Sequence, residues 1–480
     1  MKYKIIIMLH SVFFLICIGI ELNATNIADS IGFSAEGVAR GNAMTASTNE
    51  WSSVFYNIAG LGKTRGFPKE PQKQIENDTD GTATTNPAVD REHLPNQFAL
   101  SAMMMQPRLK LAIFNSSKIP DTIKNKPYGF ILLGATFDIN NIHKLPPMIS
   151  SARFGFGLGM NMDGSIAKAV TMDPRKHDFL MYGRQVQRLV LYAGLGIGLF
   201  KDVIGFGVGL NFSIAGKARV IPEKHITGIP MIPVGIAELD LNFDPDLVAG
   251  IYISPGNRGN ILKGLELGAS YRMESKWRLF PLAVIASILG SQLPAMMNLA
   301  ILDFYQPHTI TTGVAYTRSI VTVSVDVDYQ MWSMFTNMST KSLQYYNLPD
   351  LRDILLYKIG FKFAVLDWLS VMFGYYFQPS ILAKSTGGTL NMLLNGSIKW
   401  GMYNYLDNDK HVASVGLRFM PIIDSFKGRV NIILSYQFQY LAEKSEKKYS
   451  DIATATYVAN PPYSYGGMHH ALICEIGFRI

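Results

Sequence analysis

Between Leu189 and Ile214 the chain alternates residue by residue. Ile204, Phe206, Val208, Leu210, Phe212 and Ile214 fall on one face of an extended chain, and Val203, Gly205, Gly207, Gly209, Asn211 and Ser213 fall on the other. A period of two predicts a strand, because successive side chains point to opposite faces. The preceding half sets Leu189, Leu191, Leu195, Ile197 and Leu199 against Tyr192, Gly194, Gly196 and Gly198. Lys201 and Asp202 form the polar turn between the halves. A soluble sandwich would bury its apolar face and wet the other with charge. Here the second face is Gly, Asn and Ser, which suits the inside of a barrel whose outside touches lipid.

The same alternation predicts fourteen strands, over residues 97–114, 128–138, 151–161, 188–200, 203–214, 237–253, 263–274, 307–317, 320–331, 356–365, 368–378, 409–420, 428–440 and 468–480. Phe154, Phe156, Leu158 and Met160 oppose Gly155, Gly157, Gly159 and Asn161, and Leu472, Cys474, Ile476, Phe478 and Ile480 share one face of the last strand. Connections after odd strands run to roughly 13–32 residues and those after even strands to about 2–12, the outer-membrane pattern of long outer loops and short inner turns. Tyr375, Phe377, Phe419 and Tyr440 stand near strand ends, where aromatic girdles form. The fold class expected is all-β, a transmembrane antiparallel β-barrel of about 14 strands.

Composition agrees. Of 480 residues 17% are charged and 11% aromatic, and the net charge of +8 is spread along the chain without the clustered basic face that nucleic acid requires. After the N-terminus no run of about 20 apolar residues offers a helical span. Residues 1–24 read as a signal peptide: Lys2 and Lys4, an apolar core Ile5–Ile20, and Ala24 before the cut. A membrane anchor, and a lipoprotein reading of Cys17, are the weaker alternatives, because the run is short and Ile16 stands where a small residue is wanted. Removal of this segment leaves Cys474 alone of the two cysteines, so no intramolecular disulfide is expected. Residues 25–62 are rich in Gly, Ala, Ser and Asn without a clean period, yet carry Trp51, Phe55, Tyr56 and Leu61, as a segment packed inside a barrel would. Residues 63–96 are polar and aperiodic and read as a connection to the barrel at 97–480.

Several stretches resemble the FadL/TodX-type outer-membrane transporters of long-chain fatty acids and aromatic hydrocarbons. Gly37 to Met44 (Gly-Val-Ala-Arg-Gly-Asn-Ala-Met) followed by Phe55 to Leu61 is similar to that family's N-terminal hatch, with Asn57, Ile58, Ala59 and Gly60 where the family has Asn-Pro-Ala-Gly. Further likenesses are Gly264–Arg272, Asp326–Ser333, Arg352-Asp353 with Lys358–Gly360, and Gly374–Ser380. The resemblance covers most of residues 29–480. It implies a barrel lumen plugged by an N-terminal hatch, capture of ligand among outer loops, a lumen pocket, and lateral release at a kinked third strand. That strand carries Gly155, Gly157 and Gly159. Glycines there serve either a kink or the room a hatch needs.

The loop 275–306 is apolar for an outer loop, with Phe280, Leu282, Ile285, Leu289, Leu293 and Met296. Two readings stand: a helix packed on its neighbours, or a capture groove for acyl or aryl chains, since exposed apolar patches mark binding sites. Arg272, Lys276 and Arg278 are candidate partners for a carboxylate, or solvated rim charges. Asp326 and Asp328 share the lumen face of strand nine and are expected to bond to hatch N–H groups or Arg40. Trp277 and Trp332 read as interface anchors. His469 and His470 point to opposite faces and cannot chelate together, no nucleophile elbow or phosphate loop appears, and Ser435 with His411 is the one conceivable hydrolase pair. Neither cofactor nor metal is expected. The expected function is passive import of hydrophobic small molecules, fatty acid or aromatic hydrocarbon, by a monomer surrounded by outer-membrane lipid. The rival is an adhesin or structural barrel acting through the polar loops 332–355, 379–408 and 441–467.

Overall fold

The computed structural model describes residues 27–64, 95–113, 125–162, 177–179, 181–182, 189–222, 235–257, 262–276, 287–288, 291–292, 305–334, 351–382, 404–421, 430–446 and 463–480. Fourteen strands close into one barrel. They are β1 (Gln97–Ile113), β2 (Tyr128–Asp138), β3 (Ile149–Asn161), β4 (Val190–Leu199), β5 (Ile204–Pro222), β6 (Gly235–Ile253) and β7 (Leu265–Arg272). Then follow β8 (Thr309–Arg318), β9 (Val321–Gln330), β10 (Ile354–Leu366), β11 (Leu369–Gln378), β12 (Lys410–Phe419), β13 (Val430–Glu446) and β14 (Tyr463–Arg479). Each pairs antiparallel with its chain neighbours, and β1 closes on β14 from Gln97↔Arg479 to Ile113↔Tyr463. Strands β5, β13 and β14 run further toward the long-loop rim than the apolar alternation predicts. Beyond the lipid band nothing selects an apolar face, so the sequence signal fades while backbone pairing continues.

The two faces sort as their side chains require. In β12, Lys410, Val412, Ser414 and Arg418 are buried in the lumen, while His411, Ala413, Val415 and Leu417 are exposed outside. In β5, Phe206, Val208 and Leu210 are exposed and Gly205, Gly209 and Asn211 buried. Val208 and Leu472, both more than half exposed, belong to a band of large apolar side chains on the outer wall. Water would make such a surface costly at ~25 cal/mol per Å², and lipid removes that cost. Cys474 is exposed on this face. Tyr375 and Tyr440 are exposed outside, and Phe377 and Phe419 half-buried. Trp332 is half-buried against the cluster of Leu351 and Ile354.

Residues 27–64 pack within this wall as short helices α1 (Ile27–Ser30), α2 (Ala35–Ala39) and α3 (Ser53–Tyr56), ending in a 3₁₀ turn at Ile58–Gly62. The signal-like residues 1–24 and most of the polar connection lie outside the described residues.

Candidate functional site

An irregular segment inside a barrel brings backbone N–H and C=O groups that no ladder satisfies, and the wall must supply partners. It does so with charged residues at lumen positions. The Glu475 carboxylate accepts from the backbone N–H of Ala35 at 2.9 Å, from Ser101 at 2.8 Å and from the indole of Trp51 at 3.3 Å. Asp326 accepts from Thr45 N–H at 2.8 Å, and Arg40 donates to Ser324 at 2.5 Å. Arg153 donates to the carbonyls of Asn49 at 2.8 Å and Lys63 at 3.0 Å, and also to that of Leu61. Thr64 N–H ends the segment on Asp202 at 2.7 Å, at the short-turn rim.

Glu36 is the hub of the charged contacts. Its carboxylate accepts from Arg418 at 2.7 Å, Lys362 at 2.8 Å and Arg40 at 3.3 Å. Arg418 also reaches Glu50 at 2.7 Å, and Arg479 reaches Glu50 at 3.1 Å. Burial alone would push the Glu36 carboxyl up. The charges of Lys362, Arg418 and Arg40 outweigh it and hold the group well below the usual carboxylate range.

The hatch-like residues occupy specific seats. The Asn57 side chain caps the 3₁₀ turn by accepting from Ala59 N–H at 3.2 Å, and donates to the carbonyls of Thr45 at 2.8 Å and Ile251 at 3.0 Å. The Ile58 side chain lies where Cβ atoms on Gly194 and Gly209 would be. Ala59 sits over Gly207, where a Cβ would come within 2.5 Å of its backbone nitrogen. Gly60 itself approaches the Thr48 carbonyl, 2.5 Å from where its Cβ would stand. The glycine stripe of β4 and β5 is therefore the floor on which this turn rests.

Gly155 and Gly157 do the same for β3: a Cβ there would meet Leu61, Val54 and Phe33, and one at Gly159 would meet Phe130 and Leu132. Strand β3 keeps its register on both sides, from Arg153 to Asn161 along β2 and from Ser151 to Gly159 along β4, with an irregularity between Ile149 and Ser151.

Toward the long-loop rim the contact between the inner segment and the wall turns apolar and aromatic. Phe33 stacks on Phe55 at 5.1 Å and meets Tyr192 edge-on at 5.3 Å. Met103, Met105, Tyr128, Phe130 and Leu132 continue the same buried cluster on β1 and β2. Two loop segments build a second buried cluster with Leu109, Leu441 and Tyr463: His177–Phe179 pairs in parallel with Asn404–Leu406, and Phe179 packs on Tyr465 at 6.2 Å. Tyr182, just beyond, donates to Gln439 at 2.5 Å, lies 5.3 Å from the His469 ring, and covers the Lys410 ammonium at 5.3 Å.

Of the residues proposed to meet ligand, Phe280, Leu282, Ile285, Leu289, Leu293, Met296 and Arg278 lie outside the described residues, as does Trp277. Lys276 pairs through its backbone with Tyr305 at the base of that loop. Arg272 points inward: it pairs with Asp29 at 3.0 Å and lies over the Phe55 ring at 4.3 Å. Gln306 donates to the same Asp29, so the stem of the apolar loop is tied to α1. Asp328 pairs with Lys358 at 2.5 Å. Ser435 donates to Ala35 C=O inside the barrel at 2.6 Å, whereas His411 bonds Tyr375 on the outside at 2.8 Å, so these two cannot form a hydrolytic pair.

The sequence reading missed Arg153, Glu475, Lys410 and Tyr182. The first three carry a usable signal, a charge on the lumen side of an alternating strand. Tyr182 lies in a loop without period and gives none.

Compared with known proteins, no family model matches the chain. It is 22% identical over 441 residues to alkane uptake protein A of Marinobacter nauticus, a match covering 87% of this chain and 84% of that protein. Among solved structures the chain is similar to a FadL homologue of Pseudomonas aeruginosa, at 11% identity and a TM-score of 0.49 over 95% of this chain and 99% of that one. It is also similar to the toluene transporter TodX of P. putida, at 13% identity and a TM-score of 0.48 over 94% and 99%. The closed fourteen-strand wall with its apolar outer band is an outer-membrane β-barrel.

Proposed function

We propose that this barrel imports hydrophobic small molecules passively, with long-chain fatty acids as the leading cargo. The observation that carries the reading is how the inner segment is seated in the lumen. Met103, Met105 and Phe130 of the wall pack with Phe33 and Phe55 of the inner segment in one buried apolar cluster, and the same segment is held to the rest of the wall through polar contacts. A lumen plug seated on an apolar seam as well as on polar contacts suits a ligand that partitions from water and passes when the plug moves. The name of the alkane uptake relative supports an apolar cargo. In this reading the apolar outer loop captures, residues 27–62 act as the hatch, and cargo leaves sideways where Gly155, Gly157 and Gly159 line β3. That exit requires the pairs of β3 to part, at one rim or along its length.

The test is a titration of the detergent-purified barrel with a fluorescent long-chain fatty acid, beside a variant with Leu282, Ile285 and Leu289 changed to Ser. Saturable binding competed by oleate and weakened in the variant is expected. A folded wild type that binds neither this probe nor an aromatic hydrocarbon would overturn the import reading.

A further inference from the structure

Strand β1 carries its outer face past the lipid band. Phe98, Leu100, Ala102 and Met104 alternate outward, and Gln106, Arg108 and Lys110 follow on the same face. Phe98 meets Phe137 edge-on at 5.6 Å near the short-turn rim. From Phe98 to Arg108 the chain rises about 34 Å along the strand, and about 26 Å along the membrane normal at a tilt of about 40°. An outer-membrane wall carries an apolar band about 25 Å tall, so Arg108 stands at its outer edge. The aromatic residues at that level agree. Gln106 lies opposite His470, whose Nδ1 shares a hydrogen bond with the Tyr436 hydroxyl at 2.7 Å. Arg108 lies opposite Met468, which lies opposite Tyr440. Tyrosines so placed mark the plane where acyl chains give way to headgroups.

Arg108 and Lys110 are exposed in that plane, and among the described residues no carboxylate pairs with either. Asp409 of the same rim takes Lys444 at 3.7 Å. Beside Lys110, β14 presents Gly466 and no side chain. A bulge in β13 between Leu441 and Lys444 brings Glu443 against the far side of that glycine, its Cα 3.1 Å from where a Cβ would stand. The result is a bare strip of backbone with two cations along one edge and one exposed acid beyond the other. The edge is rigid. Pairing of β1 with β2 ends at Met105 and Tyr128, and there the Asn125 side chain takes over, accepting from the Leu109 N–H at 2.8 Å and donating to its carbonyl at 2.9 Å. Leu109 lies between the two cations, so their backbone is fixed. Like charges so close repel, and an anion seated between them relieves the repulsion.

We propose that Arg108, Lys110 and the bare backbone at Gly466 seat the phosphate of an outer-leaflet lipid headgroup, its acyl chains lying down the wall over Met468, Met104 and Leu472. Arg108 offers a planar fork that matches phosphate oxygens, and Lys110 a compact charge. Glu443 repels the phosphate and keeps it to the β1 side. The seat is on the outside of the wall, away from the lumen, so it stands apart from the import reading.

The experiment titrates the barrel, purified folded and delipidated in detergent, with bisphosphorylated lipid A, with the same lipid stripped of its phosphates, and with inorganic phosphate. Native mass spectrometry reads the bound lipid. Beside wild type run the double variants Arg108→Gln/Lys110→Gln and Lys263→Gln/Arg318→Gln, the second removing the same charge from two exposed cations of the short-turn rim. Heat-modifiable migration confirms that each is folded. Wild type is expected to hold the phosphorylated lipid about tenfold or more tighter than the stripped one, the worth of one charge-assisted contact. Arg108→Gln/Lys110→Gln should lose that preference, and Lys263→Gln/Arg318→Gln should keep it. No preference in wild type overturns the proposal. Equal loss in both double variants also overturns it, because net charge alone would act that way. Displacement of the lipid by an equimolar amount of inorganic phosphate would identify a site for the free anion and overturn the lipid assignment. Each of these outcomes leaves the import reading untouched.

Discussion

The carboxylate of Asp326 accepts a hydrogen bond from the backbone N–H of Thr45 at 2.8 Å, across 281 residues of chain. Wall and inner segment meet here through one strand carboxylate and one orphan amide. Both groups are buried, so neither has water to fall back on. Removing the acceptor leaves a desolvated donor, a cost of about 1–3 kcal/mol. Asp326→Ala is therefore expected to loosen residues 27–64 without opening the barrel. Limited proteolysis should cut the segment faster, while the barrel keeps its heat-modifiable migration on gels. Asp326→Asn keeps an acceptor and should lie between. Unchanged protection in Asp326→Ala would show that this contact does not hold the segment.

Glu36 concentrates the electrostatics. It faces Lys362, Arg418 and Arg40 within 3.3 Å. Removing one buried partner strands the others, at about 3–5 kcal/mol, so Glu36→Ala should release the segment more completely than Asp326→Ala. The pH dependence has a definite sign. A carboxyl held lower in the folded state than in the unfolded one stabilises at all pH values above its unfolded range. That contribution is lost as pH falls from there through the folded value. Docking should thus stay intact from neutral pH to the ordinary carboxylate range and weaken below it. Protease protection at stepped pH reads this directly, and a loss of docking that began above that range would contradict it.

How much was legible follows from what each signal depends on. Strands whose outer face meets lipid carry an enforced alternation, so the set from Gln97 to Arg479 was readable almost to its ends. The role of Asp326 was readable because a charge at a lumen position must find a partner. The seats of Ile58 and Ala59 were half-legible: glycines at 194, 207 and 209 announced close approach, but not what approached. Tyr182 over Lys410 was not legible, because that contact joins an aperiodic loop to a strand 228 residues on. The apolar outer loop around Leu282 and Ile285 falls outside the described residues, so its two readings stand as the sequence left them.

Gly207 separates room from mere smallness. A Cβ there would stand 2.5 Å from the Ala59 backbone nitrogen and the Ile58 carbonyl carbon, and backbone cannot swing aside. At Gly159 the nearest atoms belong to the Phe130 and Leu132 side chains, which can turn. Gly207→Ala is expected to lift the 3₁₀ turn off β5 at about 1–3 kcal/mol, and Gly159→Ala to cost less. In planar bilayers, Gly207→Ala should raise single-channel openings above wild type and Gly159→Ala should not. Equal conductance in both variants would mean that the turn does not obstruct the lumen.

Leu472 tests the membrane itself. It is 56% exposed on the outer face of β14, and its cross-strand neighbours Met104 and Tyr436 are exposed on the same face. In water such a position tolerates arginine freely, since a surface charge there meets nothing. In lipid the guanidinium must leave its hydration shell or drag water inward, which costs about 2–4 kcal/mol at the midplane and little near the interfaces. Leu472→Arg should therefore depress folding into phospholipid vesicles while leaving folding in detergent micelles close to wild type. Glu475, three residues on, points into the lumen, where it bonds Ala35. Glu475→Ala should fail in the opposite pattern, loosening the inner segment in both media alike. If Leu472→Arg folds into vesicles as readily as wild type, β14 does not face the hydrocarbon core.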